Sequence, residues 1–221
     1  MDEPVADLRP DDHRRLLPVW STVGLFVALQ VIDQLLSRRV TLVVLANEPT
    51  RQRAIDLVER LTDAAFIVVA VVVVLAALAR VRPSWMNRIL IAYLIMATAN
   101  LTLNVVTMIA TAQFRPAEQL HLLWDVALVY ANTVLVFAVW YRLLDAELEH
   151  GAFEFPDDPR RPDRVPGWIE YIFLSFNTNA TFGPTVETVH SRIAKVLMML
   201  QTSMSLLILV VLVARIVGLG N

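Results

Sequence analysis

Apolar residues run along this chain in blocks of membrane-spanning length, and the polar interruptions between them set the expected elements. Leu16–Leu36 is apolar apart from Asp33 and Gln34, and Ala64–Ala79 carries no charge. Ile89–Ala112, Gln119–Tyr141 and Ile193–Val217 complete the long blocks. A helix needs ~20 apolar residues to cross a bilayer core, so five crossings are expected. Val40–Ala46 is too short to cross. Asn47–Asp63 is charged but carries Ile55, Leu57, Val58 and Leu61, a spacing that suits a segment lying in the interface. Arg82-Pro83-Ser84-Trp85 is a tight connection with tryptophan at headgroup level, and Arg115-Pro116 ends the third block.

One block breaks the pattern. Trp168–Phe176 is apolar but only half the length of a span, and the polar run Asn177–Thr185, which contains Gly183-Pro184, separates it from the last long block. Proline lacks an N–H and clashes with the preceding turn, so no helix passes through this point. Irregular backbone at membrane depth persists only where protein buries it or where it lines a watery cavity. The pattern predicts a re-entrant loop: a half-crossing helix, a turn at mid-depth and a return to the same surface. The fold class expected is all-α, a polytopic membrane protein with about five transmembrane helices plus this re-entrant pore-helix loop. It divides into a polar tail (1–15), a three-span region (16–116) and a C-terminal module (117–221).

Phe176-x-Thr178-x-Ala180-Thr181-x-Gly183 resembles the pore-helix end and filter entrance of tetrameric potassium channels, whose filter reads Thr-Val-Gly-Tyr-Gly-Asp. In register, Thr181, Phe182, Gly183, Pro184, Thr185 and Val186 take those six positions, between an outer helix at about 118–144 and an inner helix at about 193–217. The chain also resembles a group of bacterial integral membrane proteins in which a run like Phe137-Ala-x-Trp-Tyr141 precedes a similar loop. The resemblance implies a homotetramer in a bacterial inner membrane, a multi-pass protein that passes monovalent cations, potassium or sodium, along a filter-like path from Thr181 to Thr185. In such filters backbone carbonyls replace the water shell of the ion. Here Thr185 stands at the second glycine and Val186 at the acid, and Pro184 fixes its own φ while restricting Gly183. The selectivity expected is therefore weak or altered. A non-conducting scaffold or partner subunit with the same fold, and a small secondary transporter built on broken helices, are the alternatives.

Composition agrees with a membrane protein: 57% of the 221 residues are hydrophobic and the mean hydropathy is +0.57. The net charge of −2 gives no basic face for nucleic acid. Without cysteine there is no disulfide or thiol chemistry. Met1–Asp12 is acidic with no apolar core, so no signal peptide is expected. Arginines divide nearly evenly between the two sides and give no orientation. No Gly-x-Ser-x-Gly, His-Glu-x-x-His or phosphate loop occurs, and the four histidines lack metal-ligand spacing, so neither an enzyme nor a cofactor is expected.

Several polar residues remain as candidates. Thr178, Gln201, Thr202 and Ser205 are placed to line a cavity below the filter, with Gln201 and Ser205 one turn apart on one face. Hydrogen bonding between helices is the plainer reading of the same residues, and of Asn100, Asn104, Thr107 and Thr111. Glu187 is placed to form a ring of carboxylates at the pore mouth of a tetramer. Asp125, a carboxylate inside a span, is a candidate relay, while Asp33, near the interface and close to Arg38, reads as paired. Asp145–Pro166 holds seven acids (Asp145, Glu147, Glu149, Glu154, Asp157, Asp158, Asp163), a solvated loop that concentrates cations if it lies near a mouth.

Overall fold

The computed structural model describes residues 84–110, 119–156, 166–180, 182–184 and 186–218, with helical positions 24, 27–29, 31, 32, 60, 61, 64, 67, 68, 71 and 72. The N-terminal tail, Asp33, most of the first two expected spans, positions 157–165 and the filter positions Thr181 and Thr185 lie outside the described residues. Helix makes up 82% of what is described.

Among the described residues three helices are long and apolar enough to cross a membrane: α1 (Ser84–Ala110), α2 (Gln119–Glu147) and the C-terminal helix α4 (Arg192–Gly218). At ~1.5 Å per residue, the 27 residues of α1 extend about 40 Å, more than the ~30 Å of hydrocarbon. On α1, Leu90, Leu94, Leu101, Val105 and Met108 recur at helical spacing and are buried, while Ile95, Leu103, Val106 and Ile109 are exposed on the other side. A helix apolar all round suits lipid on its outer face. The central helix is α2: 61% of its span window is buried, against 33% for α1 and for α4. Its Trp140 donates Nε1–H to Thr98 Oγ1 of α1 at 2.9 Å, fixing the two helices across their apolar contact. Leu29, in the first expected span, joins the same core.

Between α2 and α4 comes a shorter helix, α3 (Trp168–Asn179), of 12 residues. The chain is not wholly helical. Phe153–Glu154 (β1) pairs antiparallel with Thr188–Val189 (β2), Phe153 opposite Val189 and Glu154 opposite Thr188. The His190 N–H extends the pairing to the Ala152 carbonyl at 3.1 Å. Two-residue strands carry no alternation that a hydropathy pattern reveals, so the all-helical expectation missed them. They close the base of the excursion that contains α3. The chain leaves the Asp145 end of α2 and comes back to it before α4 begins.

A second difference lies at the end of α2. The expected span stopped at Tyr141, but the helix continues to Glu147 and takes Asp145 out of the solvated loop. Asp145 is 7% exposed and Arg142 is 4% exposed.

Candidate functional site

Gly167 caps the start of helix α3, and its N–H donates to Glu170 Oε2 at 2.8 Å, so an acid in the first turn satisfies an amide the helix leaves open. Tyr171, Leu174, Ser175 and Thr178 lie one turn apart and are buried, while Ile169, Phe173 and Phe176 form the exposed face. Polar contacts at three levels hold the buried face.

At the first level, Asp145 Oδ1 accepts the backbone N–H of Ala152 at 2.7 Å and of Phe153 at 3.0 Å. Its Oδ2 accepts the Tyr171 hydroxyl at 2.5 Å, and Arg142 Nη1 donates to that hydroxyl oxygen at 3.1 Å. The Arg142 guanidinium also lies 5.1 Å from the Tyr171 ring centre. Burial first, and the Asp145 charge second, push the Tyr171 phenol up, which keeps it a donor to the carboxylate. One carboxylate thus ties the end of α2, the approach to β1 and the start of α3 together.

At the second level Gln201 of α4, 0% exposed, is the junction. Its Nε2 donates to the Ser175 carbonyl and hydroxyl, both at 2.9 Å, and its Oε1 accepts the Tyr141 hydroxyl at 2.5 Å. Ser175 Oγ donates to the Val134 carbonyl of α2 at 2.8 Å. Gln201→Leu strips three bonds from this junction and leaves the Tyr141 hydroxyl buried. The expected loss is about 1–2 kcal/mol of stability in detergent unfolding, above the ~0.6 average for one intramembrane hydrogen bond. An unchanged unfolding midpoint would mean that the junction is not formed.

At the third level the chain turns. The Ala180 N–H reaches the Phe176 carbonyl at 2.8 Å, and the N–H groups of Phe182 and Gly183 both reach the Asn177 carbonyl, at 3.1 and 3.3 Å. Ser205 Oγ of α4 donates to the Asn179 carbonyl. Gly183 has φ +70°, the left-handed region in which glycine meets no Cβ penalty. A Cβ built there meets nothing within 4 Å among the described residues.

The sequence candidates fall out as follows. Thr178 is buried and donates to the Leu174 carbonyl at 2.8 Å, and Gln201 and Ser205 spend their polar atoms on α3 and α2. Thr202 is partly buried, Phe182 is 78% exposed, and Pro184 is exposed. Glu187, expected at a mouth, is buried and folds back, its Oε2 accepting the Val186 N–H at 3.3 Å. Asp125 is buried near the opposite end of α2 from Asp145. Asn104 is buried on α1, and its Nδ2 has no partner among the described residues. Among the described residues no three His, Cys, Asp or Glu side chains gather as metal ligands. Arg142, Tyr171, Tyr141 and Ser175 were not singled out by the sequence. The one hint was a pair of opposite charges, 142 and 145, a turn apart just beyond an apolar run. No family model, no curated protein and no solved structure matches this chain.

Proposed function

We propose that the chain is a multi-pass protein of a cell membrane whose residues 117–221 form a pore module, that it assembles as a homotetramer, and that it passes monovalent cations with weak discrimination. The remaining two of five crossings belong to the 16–79 region, and α3 with the Gly183 turn is the re-entrant loop. The observation that carries this reading is a half-length helix set between two span-length ones, entered and left at the same end of α2 and closed there by β1 and β2. The peptide orientation adds support. The peptides of the described residues are trans, so the Gly183 N–H aimed at the Asn177 carbonyl turns the Phe182 carbonyl the opposite way, away from the end of α3. An outward carbonyl next to a left-handed glycine is what an ion path built from backbone needs. One loop supplies one wall, and four copies complete it.

A second reading, a non-conducting scaffold with the same fold, is favoured by a different observation. Three carbonyls in the last turn of α3, those of Phe176, Asn177 and Asn179, are already bonded within the chain. One experiment separates the two. The protein is purified in mild detergent for native mass measurement, then reconstituted for potassium and sodium flux. The expected result is a tetramer whose fluxes of the two ions agree within about tenfold, a barrier difference of ~1.4 kcal/mol. A monomer, or a tetramer that passes neither ion, selects the scaffold. Strong preference for potassium would mean that Pro184 and Thr185 build a tight carbonyl cage after all.

A further inference from the structure

We propose that Asn179 holds a buried water molecule behind the Gly183 turn, between the end of α3 and α4. Asn179 is the last residue of α3 and is 1% exposed. Its main-chain carbonyl accepts from Ser205 Oγ, which fixes the residue against α4. Its side chain is different: neither Oδ1 nor Nδ2 has a partner among the described residues, and both atoms are shielded from bulk solvent. At the opposite end of α3 the buried Trp168 Nε1 also lacks a partner among the described residues. Tyr171, Ser175 and Thr178 each have named partners, and so does Gln201 across from them.

An amide with donor and acceptor both open selects its ligand by chemistry. A bare cation satisfies only Oδ1, and an anion satisfies only Nδ2. The ligand must give and take a hydrogen bond at once and be small enough to enter a site that bulk solvent does not reach. Water is that ligand. Ordering one water costs less than stranding both ends of an amide in a protein interior. Ser205 supplies a further partner, since its proton goes to the Asn179 carbonyl and its oxygen lone pairs remain available. Two amide atoms and one hydroxyl give the two to four bonds a buried water makes. The contact between α3 and α4 then has a dry rung at Gln201 and a wet one at Ser205. The site lies within one chain and stands whether or not the protein conducts.

The test is a map of the full-length protein in lipid nanodiscs at a resolution that shows ordered solvent, with and without rubidium. The expected result is a peak bonded to both amide atoms of Asn179, absent in Asn179→Leu and without anomalous signal from rubidium. The same variant is expected to melt about 2–4 °C lower, because it loses the bonds the water makes. An empty site, an Asn179 side chain turned onto a protein group, or a rubidium signal at the peak would each overturn the proposal. So would an Asn179→Leu variant that melts higher, since only a dry, unbonded amide gains by becoming apolar.

Discussion

Asp145→Ala is expected to lower the stability of the folded chain by about 3–5 kcal/mol, the range for removing one member of a buried charged network. The carboxylate accepts three bonds at once, from the Ala152 and Phe153 amides and from the Tyr171 hydroxyl. Alanine returns none of them. It also leaves the Arg142 guanidinium, 4% exposed, bonded to a hydroxyl that has lost its own acceptor. Asp145→Asn separates geometry from charge. The amide oxygen still accepts from the backbone amides, but the NH2 group meets the Tyr171 hydroxyl as a donor rather than an acceptor. A smaller loss, about 1–3 kcal/mol, is expected for it. Tyr171→Phe removes the bridging hydroxyl alone and is expected to cost a similar amount. Denaturant unfolding in detergent micelles, followed by tryptophan fluorescence, checks the order Ala, then Asn and Phe, then parent. Equal stability of Asp145→Ala and the parent would mean that Asp145 is solvated and that the end of α2 is frayed.

That cluster also shows where sequence reading stops. The long blocks of apolar residues are a one-dimensional property, and α1, α2 and α4 begin and end within a few residues of where hydropathy places them, apart from the last turns of α2. Helix α3 was legible for the same reason, and its end was marked by the polar run that leads to Pro184. Asp145 was not legible. It follows Trp140-Tyr141-Arg142, a sequence that reads as the water boundary of a span, and it precedes six more acids. What buries it is Tyr171, 26 residues on, together with two amides seven and eight residues away. Nothing in the local pattern announces a partner at that distance. Gln201 was legible as a polar residue on an apolar helix, but whether it faces a cavity or a neighbouring helix depends on how α3 is rotated. Ser175 and Tyr141 decide that rotation, and both look like ordinary members of apolar runs.

Gly183→Val is expected to abolish assembly or flux, and the reason can be divided into two parts that different substitutions isolate. The first part is conformational. Gly183 has φ +70°, and an L-residue in the left-handed region costs about 1–2 kcal/mol, more for a β-branched side chain. The second part is crowding, which no described residue of the same chain supplies, because a Cβ at this position meets none of them within 4 Å. It arises only if Gly183 approaches copies of itself around an axis. Asparagine tolerates the left-handed region yet adds a side chain. If conformation alone matters, Gly183→Asn behaves like the parent while Gly183→Val fails. If the loop lines an axis, both fail, and the strain recurs in each of four copies. Gly218, the last residue of α4, is the control, because alanine suits a helix end and Gly218→Ala is expected to change little. Native mass measurement and liposome flux on the three variants read the outcome. Loss of tetramer or flux in both Val and Asn places Gly183 at the axis; loss in Val alone makes it a left-handed turn that holds the loop in shape. Parent-like behaviour of Gly183→Val would remove the loop from the ion path and leave Asp125, buried in α2, as the residue to test next.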